Sequence, residues 1–204
     1  MLIDPYYKVK AEIHQQRPTQ KYIMIGYLCF TSLITAIFAF YFFLVDSNNK
    51  CYVREGKDYP EILTTDMMKH DTINITRVSD DFDLLFGLFL VYGFSSSLLC
   101  IVNLVGIYYI PAILKLDYPL GIVSKLNMLL LTANIILMHL YRLGHGGKVC
   151  SGDYLDGNDP KHREFYLISR GDLLWFWLIF FWAFIGVMLL GFVVALIITL
   201  KQIN

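Results

Sequence analysis

His139, Arg142, His145 and Cys150 fall within one short stretch, and Asp153, Asp156 and Asp159 follow at intervals of three. His, Cys and Asp ligate metals, so the spacing has to be weighed against known sites. Zinc needs three or four convergent ligands, and the spacing of His139, His145 and Cys150 matches no familiar zinc site. A haem held by two histidines needs a partner for His139 from another helix at similar depth, but His14, His70 and His162 all lie in polar segments. A calcium loop of the EF-hand type takes oxygen ligands at alternating positions and a closing bidentate Glu. Here Asp-Gly-Asn-Asp-Pro reads as a turn instead. No nucleophile–base pair, phosphate-cradling glycine loop or Cys-x-x-Cys occurs anywhere in the sequence. No catalytic residue, cofactor or metal is therefore expected. Arg142 is expected to snorkel to a membrane interface, with the histidines bonded locally.

A membrane interface enters because four stretches are almost free of charge. Residues 22–45, 84–114 and 173–200 contain no Asp, Glu, Lys or Arg, and residues 120–141 contain only Lys125. At 1.5 Å rise per residue, roughly 20 apolar residues cross a hydrocarbon core about 30 Å thick. The composition agrees, with 56% hydrophobic and 16% aromatic residues. The expected fold is an all-α membrane protein, an antiparallel bundle of four transmembrane helices with two outer loops, 46–83 and 142–172. Residues 1–21 form a polar N-terminal segment ahead of the four-span domain 22–204. They lack the apolar core of a cleavable signal, so the first span is expected to serve as its own insertion signal.

Four spans put both termini on one side of the bilayer. That side carries seven Lys/Arg against three acids, and the loop side ten against fourteen. The raw Lys/Arg count favours the loop side, but the seven lie in shorter segments nearer the helix ends. Cysteine placement decides the expectation. Cys29 and Cys100 lie inside spans, where free cysteine acts as a small apolar residue. Cys51 and Cys150 lie one per outer loop, close to the membrane, and a disulfide between them requires an oxidising compartment. Asn74-Ile-Thr, the only N-glycosylation sequon, falls in the first of these loops. Both termini are therefore expected in the cytosol and both loops outside, in a plasma or surface membrane, with the mitochondrial inner membrane as alternative. No basic stripe points to nucleic acid.

Within the spans, Asn103, Asn127, Asn134 and His139 are the candidates for interhelical polar contacts, together with Ser95-Ser-Ser. Asn127 and Asn134 are seven apart and share a helix face. Ser32, Thr35, Ala36 and Ala39 offer a small face on span one, and Gly186 and Gly191 interrupt the bulk of span four. Pro111 suggests a kink or an overrun in span two. Pro60 opens an expected short amphipathic helix in the first outer loop, and Asp80, Asp81 and Asp83 suit the N-terminus of span two. No acidic residue or arginine sits at mid-membrane, which disfavours proton relays and ion-coupled transport.

The stretch His139-Leu-Tyr-Arg-Leu-Gly-His-Gly-Gly-Lys-Val-Cys, with Tyr166-Leu-Ile-Ser-Arg-Gly-Asp-Leu-Leu-Trp, resembles the third-span exit and second outer loop of MARVEL-like tetraspan proteins. That broad group includes physin-like and claudin-like membrane organisers. The claudin pattern of a Trp with paired cysteines in the first outer loop is absent, since Cys51 stands alone there. The resemblance implies membrane organisation or attendance on a larger complex. The expected function is thus a non-enzymatic tetraspan protein that packs laterally with membrane lipids and other integral membrane proteins. The alternative is an accessory subunit of a channel assembly or mitochondrial respiratory complex. A third reading is a small redox or transport protein that uses His139 and the span asparagines.

Overall fold

A computed structural model of the chain describes residues 18–54, 75–154 and 165–203. The helix expected after Pro60, the Asn74 sequon, Asp156, Asp159, His14, His70 and His162 lie outside the described residues. The fold is all-α, with four long helices apolar enough to cross a membrane: α1 (Pro18–Phe43), α2 (Val78–Tyr108), α3 (Asp117–Leu143) and α5 (Ile168–Ile203). A short α4 (His145–Cys150), a 3₁₀ turn (Pro111–Leu116) and two strands, β1 (Tyr52–Arg54) and β2 (Ile75–Arg77), complete the described elements.

The helix ends follow local chemistry. Pro18 opens α1, where its missing N–H costs nothing. Asp80 and Asp81 fall in the first turn of α2, their charge facing the positive end of the helix dipole. That helix begins at Val78 and stops at Tyr108, so it starts and ends six residues earlier than the uncharged run 84–114. Its end lies just before Ile110, the residue that Pro111 biases out of the α region. Pro111–Leu116 then form a 3₁₀ turn rather than a continued or kinked span. The second outer loop is also shorter than 142–172, because α3 runs to Leu143 and α5 starts at Ile168.

The chain divides into two compact units, Met1–Ser47 with Asp80–Leu137, and Asn48–Ser79 with Met138–Asn204. In the first unit, α1 and α2 run antiparallel: Met24 meets Cys100, Thr31 meets Ser97, and Phe38 meets Phe89. Thr31 and Ser97 share a hydroxyl–hydroxyl bond of 3.2 Å. One turn on, Thr35 donates to the Thr31 carbonyl at 2.7 Å. Phe38 closes the seam, stacked on Phe89 at 4.4 Å and tilted against Phe86 at 5.3 Å. The spacing 31, 35, 38 is one helix face. The small face of α1 is therefore one position away from the sequence expectation. Thr35 belongs to it, whereas Ser32 and Ala36 are exposed and Ala39 is half-buried.

Gly93 is the closest approach in this seam, since a Cβ there would overlap the Thr35 hydroxyl. That hydroxyl is held by its bond to Thr31 and has nowhere to turn. Helix propensity alone favours alanine over glycine by about 1 kcal/mol, but overpacking costs about 1–3 kcal/mol. Gly93→Ala is expected to lower the melting temperature of the purified protein. Gly26→Ala, where a Cβ meets nothing within 4 Å, is expected to leave it unchanged or raise it.

Candidate functional site

Two clusters carry the polar chemistry, one in each unit. The second unit places its cluster where α4 and the start of α5 meet the two strands. Cys51 and Cys150 form the disulfide that their placement predicts, with 5.9 Å between Cα atoms and a sequence separation of 99. Both cysteines are fully buried. Cys51 leads directly into β1, which pairs antiparallel with β2 in the register Tyr52↔Arg77, Val53↔Thr76 and Arg54↔Ile75. A two-stranded ribbon is marginal on its own. Here backbone bonds run from Val78 N–H to the Cys51 carbonyl and from Leu167 N–H to the Cys150 carbonyl. Asn49 adds a bond to the Tyr166 carbonyl at 2.9 Å. The disulfide is thus the hub where β1, α2, α4 and the start of α5 converge. Gly147 allows α4 to fold tightly back on α3, because a Cβ there would overlap the Tyr141 carbonyl.

Arg142 does not snorkel. It is 3% exposed and held on three sides. Its Nη1 and Nη2 donate to the two carboxylate oxygens of Asp153 at 2.8 and 2.7 Å. Its Nε donates to the Gly171 carbonyl at 2.9 Å, and its guanidinium lies 5.4 Å from the centre of the Trp175 ring. Planar guanidinium suits all three roles at once: a forked pair with carboxylate, a carbonyl bond, and stacking on an aromatic face. Asp153, weighed in the sequence as a cation ligand, is the counter-ion. The arrangement joins α3, the turn after α4, and the first turns of α5.

His139 faces α5 as well. Trp182 donates its indole N–H to His139 Nε2 at 2.9 Å, with the rings edge to face at 5.7 Å. Nε2 is therefore an acceptor and carries no proton in this contact. Among the described residues, no three His, Cys, Asp or Glu side chains converge on one point.

The first unit holds the other cluster, centred on Asn127 of α3. Ser95 donates to the Asn127 amide oxygen, and the Asn127 amide nitrogen donates to Ser96 at 2.7 Å. Tyr92 of α2 and Tyr27 of α1 line the same cavity as Ser96. Three consecutive serines thus serve two neighbours, Ser95 and Ser96 turned to α3 and Ser97 to α1. Asn103 uses its amide on its own helix, donating to the Leu99 carbonyl at 2.9 Å. A cavity of about 340 Å³ lies beside this network. Tyr27, Tyr92, Ser96, Asn103, Ser124 and Asn127 supply its polar lining, and Ile23, Met24, Leu99, Cys100 and Met128 complete it.

Asn134, on the same face as Asn127, is fully buried, and neither of its side-chain polar atoms has a partner among the described residues. The two asparagines should respond oppositely to the same change. Interhelical hydrogen bonds in membranes contribute roughly 0.6–1.7 kcal/mol each, so Asn127→Leu is expected to cost about 1–2 kcal/mol. An unsatisfied buried amide carries a desolvation penalty of about 1–3 kcal/mol, so Asn134→Leu, of similar shape, is expected to stabilise. Thermal melting of both variants in detergent distinguishes the signs.

Sequence reasoning named Cys51, Cys150, Asn103, Asn127, Asn134 and His139. It missed Tyr27, Tyr92, Ser124, Asp153 as a counter-ion, and Gly171. Comparison with family models, with curated proteins and with solved structures finds no match. The arrangement itself therefore has to carry any functional reading.

Proposed function

We propose that this chain is a non-enzymatic tetraspan membrane protein that acts by lateral packing with lipids and other integral membrane proteins. The observation that carries the proposal is the state of α5. Its outer turns are buried at Leu174 and Leu178, yet every residue from Gly186 to Thr199 is exposed. This segment is apolar on all sides, as suits a helix surrounded by lipid or by partner helices. Gly186 and Gly191 have open space where a Cβ would project, and small residues are where a second helix approaches closely. The MARVEL-like resemblance of residues 139–175 accords with this reading.

The disulfide supports loops in an oxidising compartment and both termini in the cytosol, hence a surface membrane. An inner mitochondrial location, with the bridge in the intermembrane space, is the alternative. Removal of N-linked glycan decides between them, since a mobility shift abolished by Asn74→Gln is compatible with the secretory route alone. For the function, photoreactive residues introduced at positions 187, 190 and 194 of α5 are expected to trap neighbours in native membranes. Recovery of several proteins supports an organiser, and one stoichiometric complex supports an accessory subunit. Adducts with no protein, together with unaltered co-purification after Gly186→Leu and Gly191→Leu, would sink lateral protein packing.

A further inference from the structure

We propose that the cavity beside Asn127 in the first unit binds an uncharged lipid through a hydroxyl headgroup. No residue of α5 lines it, so its test and that of the lateral-packing proposal change different residues. Three properties of the cavity specify the ligand.

The first is depth. Lys21 begins the first apolar span, and its ammonium lies 5.1 Å from the centre of the Tyr108 ring, which sets one interface level on both α1 and α2. Counting from Tyr108 at 1.5 Å per residue, Asn103 lies about 8 Å and Ser96 about 18 Å into the membrane. The polar lining therefore descends from just beneath the interface towards the midplane. Ile23, Ser124 and Met128 at its rim are exposed, so a molecule dissolved in the bilayer can enter from the side.

The second property is neutrality. The lining contains hydroxyls, amides and a thiol but no Asp, Glu, Lys, Arg or His. A phosphate or ammonium headgroup drawn to this depth would lose its water and find no counter-charge, which is prohibitive in a low-dielectric setting. The Cys100 thiol is already committed, donating to the Met24 carbonyl at 3.3 Å.

The third is the hydrogen-bonding capacity left over. Asn127 is engaged on both sides by Ser95 and Ser96. Asn103, which lines the cavity, has spent one N–H on Leu99 and keeps its amide oxygen and second N–H for a ligand. The Ser124 hydroxyl is at the rim. A ligand hydroxyl both donates and accepts, so it can satisfy the amide oxygen and the N–H together. The volume of about 340 Å³ falls at the small end of ligand pockets, enough for a headgroup and the first part of a ring system or chain. A mostly apolar wall with a few convergent polar groups is the usual form of a site that orients an apolar molecule.

Sterols and diacylglycerols share this chemistry, and photolabelling separates them. The full-length protein would be reconstituted in phosphatidylcholine nanodiscs with a photoreactive sterol, a photoreactive diacylglycerol or a photoreactive phosphatidylserine. Labelled peptides are then mapped by mass spectrometry. The expected result is saturable labelling within residues 23–27, 96–103 or 124–128 by one or both neutral probes, competed by the unlabelled lipid. Loss of one or two hydrogen bonds to the headgroup, about 1.4 kcal/mol, is tenfold in affinity. Asn103→Leu and Ser124→Leu should therefore each weaken labelling roughly tenfold. Ser124 is exposed, so its variant keeps the fold and serves if Asn103→Leu does not. Non-saturable labelling spread over all spans, equal labelling of these segments by phosphatidylserine, or unchanged labelling of Ser124→Leu would overturn the proposal.

Discussion

Asp153→Ala is expected to destabilise the protein by about 3 kcal/mol. Removing one partner of a buried pair leaves the other charge uncompensated, at about 3–5 kcal/mol. The lower end applies because the two partners are unequally buried: the side chain of Arg142 is 4% exposed and that of Asp153 34%. Without the carboxylate, the guanidinium keeps only the Gly171 carbonyl and the Trp175 face. The converse change, Arg142→Met, strands a carboxylate that water already reaches, so its cost should be smaller, about 1–2 kcal/mol. The double variant should recover part of the loss, with a coupling energy of about 2 kcal/mol. Thermal and denaturant melts of the four proteins in one detergent measure the cycle. Additive losses would show that the pair contributes nothing as a pair.

Removing the Cys51–Cys150 bridge is the second large effect. For a free loop near 100 residues, the chain-entropy model gives about 4.7 kcal/mol. That figure assumes a loop that unfolds into open coil. Here the closed loop contains α2 and α3, which remain membrane-embedded helices after the cap opens. Their anchoring already confines the loop, so the expected loss is nearer 2–3 kcal/mol. Cys51→Ala, Cys150→Ala and the double variant should therefore melt alike, and a reducing agent should bring the wild type down to the same temperature. A wild type indifferent to reduction would contradict this account. Because β1 leaves directly from Cys51, loss of the bridge should also raise amide exchange at Val53 and Thr76 before α2 or α3 is affected.

The spans were legible because lipid imposes a simple demand, a long run without charge, and four such runs stand out in the sequence. The helix end at Tyr108 was also within reach, since Pro111 marks it. Pairing of Cys51 with Cys150 followed from one cysteine per loop. Other features depend on partners that no local rule supplies. Arg142 looks like an interfacial cation until Asp153 is brought back to it across the Gly144–Gly147 turn. Ser32 and Ala36 have the composition of a packing face, but the phase of α1 is set by Ser97, Gly93 and Phe89 on another helix. Asn127 and Asn134 are equivalent by spacing, and only the presence of Ser95 and Ser96 opposite one of them tells them apart. Strands of three residues, Tyr52–Arg54 and Ile75–Arg77, are too short for periodicity to register.

The 36 residues of α5 extend about 54 Å, well beyond the thickness of a hydrocarbon core. Its outer end is seized by the Cys150 carbonyl, by Arg142 on Gly171, and by the packing of Leu174. Beyond Gly186 nothing among the described residues touches it closely enough to bury it. Such a helix is a cantilever, stiff along its axis and fixed at one root. The azimuth of the exposed half, and so the side it offers to a neighbour deep in the bilayer, follows from this one root. The contacts that Arg142 and the Cys150 carbonyl make at the start of α5 therefore bear on the exposed half without touching any residue of it.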